Sequence, residues 1–384
     1  MHVSRVIVIF AFGFMLGVVL HSAAGFSWWI LSVLIFLSAL FGIIEAVDAS
    51  KETLLAFFIA ISLLAGFLRS ATFSQSFSDS EKTFWMKSRE ALMEKSRSIL
   101  PPAESAVFNA MVFGYEKEIS EDLKKDFNST GTRHVLAISG MNISIIAMML
   151  LNFGLMIGLW RKHAFWIAVA GVVAFIFLVG SPPSALRAGI MGIMLLWAKN
   201  RGRLSKEWRP VLIAAFFMVA LNPALLVFDI GFQLSFLAVI GIIFFNNFWV
   251  RVFKRVPIKF IRDLLSLSMS AQIATLPVLI YNFGTASLIS PIANIFVVPV
   301  LTPIMFLGLG FSAFFWLDFA AKIFLWPCWL ILKATVWAVE FFGSVPWASV
   351  EIGKAGLIIF AVYYPMLILF WKFLEKKGLN DSNK

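Results

Sequence analysis

Residues 292–316 read IANIFVVPVLTPIMFLGLGFSAFFW and contain no charged side chain. A helix needs about 20 consecutive, mostly apolar residues to cross the hydrocarbon core of a bilayer, so this stretch is long enough to span a membrane. Its pattern predicts an all-α membrane protein, a polytopic helical bundle of about 10–12 transmembrane helices that includes broken helices. Further apolar runs, several of them short or interrupted by proline, lie at 6–24, 26–44, 54–68, 135–160, 164–179, 185–198, 211–228, 231–245, 264–280, 323–345 and 356–371.

The composition supports this class. The 384 residues are 60% hydrophobic and 14% charged, whereas soluble domains are about 45–50% apolar and about 25% charged. The single cysteine, Cys328, excludes an intramolecular disulfide and a cysteine-based zinc site. The four histidines are too far apart in sequence to form a local metal-binding pair. We therefore expect no metal, no cofactor and no enzymatic activity.

The charge distribution divides the chain into four parts. Residues 1–68 hold the N-terminal transmembrane helices, and residues 134–371 carry the remaining spans of the main transmembrane domain. Between them, residues 69–133 contain ten Lys and Arg and ten Asp and Glu, so we expect a soluble, extracytoplasmic helical segment. Residues 372–384 form a polar tail. Within the charged segment, helical patterns occur at 82–100, 105–113 and 116–127.

Basic side chains mark one face of the membrane. They cluster at 161–162, 199–209 and 251–262, with twelve cations against two nearby acids. Because cytoplasmic loops carry an excess of Lys and Arg, we expect these clusters and the N-terminus to be cytoplasmic. The side of the C-terminal tail depends on 323–345, which carries a lysine and a glutamate and would lie along the interface if it does not span. The alternative role for the basic loops is direct contact with a cytoplasmic polyanion.

Polar residues at the predicted outer ends of the spans are candidates for one mouth of a hydrated path. They are Arg133, His134, Arg187, Asp229 and Asn282. Arginine near a helix end can instead extend to the interface, and a histidine at a helix start can be an ordinary interfacial residue. The pattern leaves both interpretations open.

A second polar set lies within the spans. Uncompensated polar groups cannot face lipid, which favours a shared cavity. Alternatively, each side chain makes an interhelical hydrogen bond worth about 0.6–2 kcal/mol. In an uninterrupted helix, Asn142 would lie below His134 on one face, about 12 Å deeper. The set that is expected to line the path or brace the helices is Ser139, Gly140, Asn142, Gln233, Gln272, Asn294 and Pro299.

Five blocks of this sequence, in order, resemble the transmembrane competence domain of the ComEC family of bacterial DNA-uptake proteins. The blocks are 123–144 with its HVLAISG core, 181–192 (SPPSALRAGIMG), 222–236 (NPALLVFDIGFQLSF), 271–284 (AQIATLPVLIYNFG) and 288–303. The resemblance implies that 134–371 is a channel domain in the cytoplasmic membrane, which carries single-stranded DNA inward during transformation. It also implies that the outer set contacts DNA and that the inner set lines or braces its path.

The chain departs from the family pattern in two ways. Members typically add an extracellular OB domain and a metallo-β-lactamase-like nuclease domain, and we expect neither here. Where the family usually has Ser-Gly-Leu-His, this chain has Ser139-Gly140-Met141-Asn142. A neutral amide there can form hydrogen bonds but cannot supply charge or transfer a proton.

The implied partners are single-stranded DNA, membrane lipid and several other proteins. A separate DNA receptor and a separate nuclease would replace the missing domains, and an ATP-driven cytoplasmic motor would supply energy because the sequence has no P-loop. Homo-oligomerisation is left open. Two other functions remain: a secondary transporter of a small anion or metabolite, and a membrane scaffold that transports nothing.

Overall fold

The computed structural model describes residues 3–24, 59, 61–66, 83–182, 184–190, 192, 208–353, 356 and 358–376. In chain order its helices are α1 (Val3–Ala24), α2 (Thr83–Ile99), α3 (Pro102–Phe113), α4 (Glu121–Ser129), α5 (Gly140–Met156), α6 (Arg161–Leu178), α7 (Trp208–Leu221), α8 (Ala224–Phe228), α9 (Ile230–Val252), α10 (Lys259–Phe283), α11 (Ser290–Phe314), α12 (Asp318–Gly343) and α13 (Ile358–Lys376). Short 3-10 turns cover Glu116–Glu118, Arg133–Val135 and Phe253–Arg255, and strands β1 (Thr285–Ser287) and β2 (Ser349–Glu351) pair antiparallel. Residues 184–190 are also helical.

Within the described residues, six segments are helical, long and apolar enough to cross a membrane: Arg133–Met156, α6, Ile230–Arg255, α10, α11 and α12. The prediction of an all-α, multi-pass membrane protein is confirmed. The predicted span at 26–44, and about half of each of those at 54–68 and 185–198, lie outside the described residues. Shorter apolar helices occur within α1 and α7.

Helix α12 covers the run at 323–345, whose placement the sequence left open. It has 26 residues and is therefore about 39 Å long, which exceeds the roughly 30 Å of bilayer hydrocarbon. The ammonium of Lys333 lies 5.3 Å from the centroid of the Trp329 ring, a cation–π contact that partly offsets the loss of water around it. β1 precedes α11 and β2 follows α12, so their pairing makes the two helices antiparallel. These features favour a membrane-crossing helix over an interfacial one.

The described helices fall into two compact units. One contains residues 1–78 and 197–236, and the other contains residues 79–196 and 237–384. This division differs from the predicted boundary at residue 134, because α7 packs against the N-terminal helix. The ring of Phe216 in α7 makes edge-to-face contacts with Phe10 and Phe14 of α1, at centroid distances of 5.9 and 5.2 Å.

The predicted extracytoplasmic segment is helical, but it is not an independent soluble region. Residues 105–113 of α3 are all buried, and Phe108 packs edge-to-face against Phe311 of α11, with centroids 5.8 Å apart. Proline in the first turn and Gly114 in the left-handed conformation (φ 68°) bound the helix. Most of the charged residues lie on α2, on α4 and in the 3-10 turn Glu116–Glu118, before and after α3 in the chain. Helix α3 is thus part of the packed core, and the placement of the segment outside the membrane stays a prediction.

The same segment reaches both ends of α12. Lys95 of α2 forms an ion pair with Asp318, the first residue of α12. At the other end, a Cβ added to Gly343 would lie 2.8 Å from Oδ1 of Asp126 in α4. Two helices of this segment therefore contact the two ends of α12. The predicted extracytoplasmic position of residues 69–133 stays a prediction.

Candidate functional site

The helix that was expected to run through His134 and Asn142 is interrupted. His134 lies in the 3-10 turn Arg133–Val135, where its Nδ1 is 3.2 Å from the carbonyl of Gly131. Ser139 has extended backbone angles (φ −111°, ψ 170°), and α5 begins only at Gly140. The predicted stack of His134 above Asn142 on one helical face is therefore wrong. An extended residue between them breaks the helical period.

Asn142 joins α5 to the C-terminal end of α3. A helix leaves its last four carbonyls without intrahelical donors, and Met111 is in the last turn of α3. The Asn142 Nδ2 donates to the Met111 carbonyl at 3.0 Å, and the hydroxyl of Ser139 donates to the Asn142 Oδ1 at 3.1 Å. Asn142 is 0% exposed. The amide braces two helices in this conformation, and Gly140 beside it has open space where a Cβ would be.

Gln272 and Asn294 each donate hydrogen bonds within one polar junction, which is formed by α10, β1 and the start of α11. Gln272 Nε2 donates to the carbonyl of Ser287. Asn294 is 6% exposed, and its Nδ2 donates to the hydroxyls of Ser268 and Ser290 at 3.1 and 3.4 Å.

This junction holds the end of α4 in place. The Ser287 hydroxyl donates to the Ser129 carbonyl at 2.7 Å, and Gly131 lies directly against Ser287 and Ser290. Two residues further along the chain are Arg133 and then His134. The structure therefore brings four predicted residues, Arg133, His134, Gln272 and Asn294, to one region of the fold.

The other predicted residues lie elsewhere. Arg187 is buried, at 5% exposure, in the helical stretch 184–190. Asn282 donates to the carbonyl of Val278 one turn earlier in α10. Pro299 is half-buried inside α11 and cannot donate to the preceding turn. Asn282 and Pro299 take no part in the hydrogen bonds of the junction among the described residues.

Asp229 and Gln233 belong to the first compact unit and shape the break between α8 and α9. The Asp229 carboxylate accepts a hydrogen bond from the Phe232 amide at 3.0 Å. Gln233 Nε2 donates to the carbonyls of Leu226 and Val227 at 3.2 and 2.9 Å. In this conformation both side chains complete helix ends, where backbone groups lack intrahelical partners.

A cavity of about 410 Å³ adjoins the turn that carries Arg133. We call it the lysine cavity. Of its residues, only Arg133 was predicted from the sequence. The residues on α4 could also have been predicted, because Leu123 and Phe127 form its buried face and the opposite face of a helix is then polar. The lining residues are Glu116, Lys117, Glu121, Lys124, Lys125, Asn128 and Arg133.

The lysine cavity is positive overall, with four cations against two carboxylates. Lys124 pairs with Glu121 at 2.7 Å, and this hydrogen bond lowers the pKa of the Glu121 carboxyl. Arg133 donates to the Asn128 amide oxygen at 3.3 Å. Lys117 and Lys125 are exposed and belong to none of the ion pairs of the described residues. Their charges are available to an anionic ligand.

Among the residues that the structure describes, no group of three or more His, Cys, Asp and Glu side chains could hold a metal ion.

The Competence family, whose members are described as competence proteins, matches residues 111–377. The chain belongs to this family. The matched residues of this family member include the lysine cavity, the polar junction and every helix from α4 to α13.

Three curated relatives are similar over about half of the chain. ComE operon protein 3 of Bacillus subtilis is 27% identical over 215 residues, which are 56% of this chain and 27% of the relative. Uncharacterized protein YcaI of Escherichia coli is 26% identical over 216 residues (53% and 28%), and Competence protein ComA of Neisseria gonorrhoeae is 26% identical over 219 residues (53% and 30%). The match thus spans less than a third of each relative's length. No solved structure matches the chain.

Proposed function

We propose that this family member provides the path through which single-stranded DNA crosses the cytoplasmic membrane during transformation. The observation that carries the proposal is the family match over 111–377, because it encloses all six candidate spans of the described residues. One relative is named a competence protein. The proposed orientation places the N-terminus in the cytoplasm and the lysine cavity at the entrance, since the basic clusters at 161–162 and 251–262 favour the cytoplasmic side.

The described conformation is a closed one in this proposal. Asn142 is engaged in hydrogen bonds inside a tightly packed region, and α3 fills the space beside α11 and α12. A strand would therefore pass only after helices move apart. We assign no catalytic step to the chain, and propose that a separate receptor, a separate nuclease and an ATP-driven motor act with it.

Uptake measured in cells tests the function. We expect a strain from which the coding sequence is deleted to lose import of labelled linear DNA into the cytoplasm, and the full chain to restore it from a plasmid. Import of labelled small anions and metabolites is the parallel measurement. Normal DNA import in the deletion strain would contradict the proposal. Loss of anion import with normal DNA import would identify a secondary transporter.

A further inference from the structure

We propose that α10 contains a hinge at Pro277 and that α13 latches this hinge in the described conformation. Two adjacent tyrosines of α13, Tyr363 and Tyr364, bind the backbone of α10 one turn before the proline. Bending at the hinge would be the movement that opens the path. That last step rests on the proposed function, whereas the hinge and its latch do not.

The hinge follows from the position of Pro277. It lies inside α10, a candidate span of 25 residues. Proline has no backbone N–H, so the carbonyl four residues earlier, that of Ile273, lacks its helical donor. Sharp bends in long helices occur mostly at such interruptions. The backbone of α10 is therefore least constrained at this turn.

The latch supplies the donor that the proline removes. The Tyr363 hydroxyl donates to the Ile273 carbonyl at 2.8 Å, and the Tyr364 hydroxyl donates to the next carbonyl, that of Ala274, at 3.2 Å. Pro277 and Ala274 are buried, and in a span a neighbouring helix can replace a missing donor. Because Tyr363 reaches the carbonyl that Pro277 leaves without its helical donor, the contact is specific to this break.

Helix α13 contacts α10 on both sides of the hinge. Tyr363 and Tyr364 bind before Pro277, and the ring of Phe360 packs edge-to-face against Tyr281 after it, with centroids 5.3 Å apart. A helix that is bound on both sides of a flexible turn restricts bending there. Release of the two hydroxyls would remove this restriction on one side.

The latching helix is itself interrupted at the same level. Pro365 directly follows Tyr364 and leaves the carbonyl of Ala361 without its helical donor. The interrupted turns of α10 and α13 therefore lie side by side. When α10 bends, α13 can bend with it.

A further hydrogen bond crosses the hinge and connects it to the polar junction. Gln272 precedes Pro277 and donates to the carbonyl of Ser287, which lies in β1 after the end of α10. The Ser287 hydroxyl in turn donates to the carbonyl of Ser129. A bend at Pro277 changes the distance between Gln272 and Ser287. The hinge is thus placed to move β1 and α11, which follow it in the chain.

Spin-label distances across the hinge test the latch. Phe260 and Phe283 are exposed near the two ends of α10, and Phe260→Cys/Phe283→Cys places two labels about 35 Å apart along the helix axis. The native Cys328 is buried and is replaced by alanine in all variants, so that only the two new thiols react. Double electron–electron resonance on the full chain in lipid nanodiscs measures the distance distribution.

We expect Tyr363→Phe/Tyr364→Phe to broaden this distribution and to shorten its mean, because α10 can then bend at Pro277. Adding Pro277→Ala should restore the narrow distribution, since it returns the missing N–H. The matched control is Tyr281→Phe, which removes a hydroxyl from the same helix pair but keeps the ring beside Phe360. A distribution as narrow as that of Tyr281→Phe would overturn the latch. Broadening that Pro277→Ala does not reverse would rule out the hinge.

DNA import in cells tests the role of the hinge in transport. We expect Pro277→Ala alone to reduce import several-fold, because α10 can no longer bend, and Tyr281→Phe to leave import unchanged. Normal import in Pro277→Ala, in cells whose import depends on this chain, would contradict that role. If import does not depend on the chain at all, the spin-label distances still decide the hinge, and the proposed DNA function fails.

Discussion

At the scale of single residues, Asn142 shows how an amide can replace a missing backbone partner. The Met111 carbonyl is buried at the end of α3, where no further helical N–H is available, and the Asn142 side chain supplies the donor. An imidazole, the side chain usual at this position in the resembling family, also carries a ring N–H. The hydrogen-bonding role can thus survive the change from histidine to asparagine.

We expect Asn142→Leu to lower the free energy of unfolding in detergent by about 1–3 kcal/mol, because it leaves a buried carbonyl without a donor. Asn142→His is expected to retain most of the stability. Denaturant unfolding monitored by tryptophan fluorescence measures both, and Asn152→Leu, at an exposed position of the same helix, serves as the control. Equal stability of Asn142→Leu and Asn152→Leu would contradict the bracing role.

At the scale of helices, the close approach of α3 and α11 depends on Gly308. A Cβ at this position would lie 2.9 and 3.0 Å from the two γ carbons of Val112 in α3. Val112 is 2% exposed, and its branched side chain has little freedom to turn away. The packing of α3 into the bundle therefore requires a glycine here.

We expect Gly308→Ala to destabilise the protein by about 1–3 kcal/mol through overpacking. Adding Val112→Ala should recover part of this loss, because it removes the atoms that clash. A double-mutant cycle on thermal or denaturant unfolding measures the coupling between the two positions. Strictly additive effects would show that the two side chains do not meet.

The helices also show which parts of the fold could be predicted from sequence patterns and which could not. The long apolar runs predicted α5, α6 and α9–α12, because each is mostly apolar over much of a span length and carries few charges. The burial of α3 in the helical bundle was not predicted, because its 12 residues are too few for a span and charged helices flank it. The lysine cavity was not predicted for another reason. Turns bring Lys117 and Arg133 to α4, and no periodic pattern in the sequence indicates that these residues come together.

At the scale of the whole molecule, the lysine cavity predicts how DNA binding responds to salt. Its lining has no aromatic side chain on which bases could stack, so contacts there go to phosphates and are independent of sequence. Each phosphate contact to a single strand contributes about 0.7 to the slope of log affinity against log salt concentration.

We expect the double variant Lys117→Ala/Lys125→Ala to reduce the magnitude of this slope by about 1.4. Fluorescence anisotropy of a labelled oligothymidylate with the purified full chain in neutral-lipid nanodiscs measures it. Replacing Glu116 and Glu121 by glutamine should raise the affinity for the oligonucleotide, because it removes two negative charges that repel the phosphates. The control is Lys322→Ala/Lys372→Ala, which removes two exposed cations elsewhere. An unchanged slope in the first variant would contradict phosphate binding in the cavity.

The pairing of β1 with β2 limits how α11 and α12 can move. The short turn after Phe314 connects the two helices at one end, and the antiparallel strands clasp them at the other. The two helices are thus connected at both ends, so they do not separate from each other at either end. In any rearrangement that admits cargo, they would move together as one rigid body against α3 and rotate about the polar junction at Ser287.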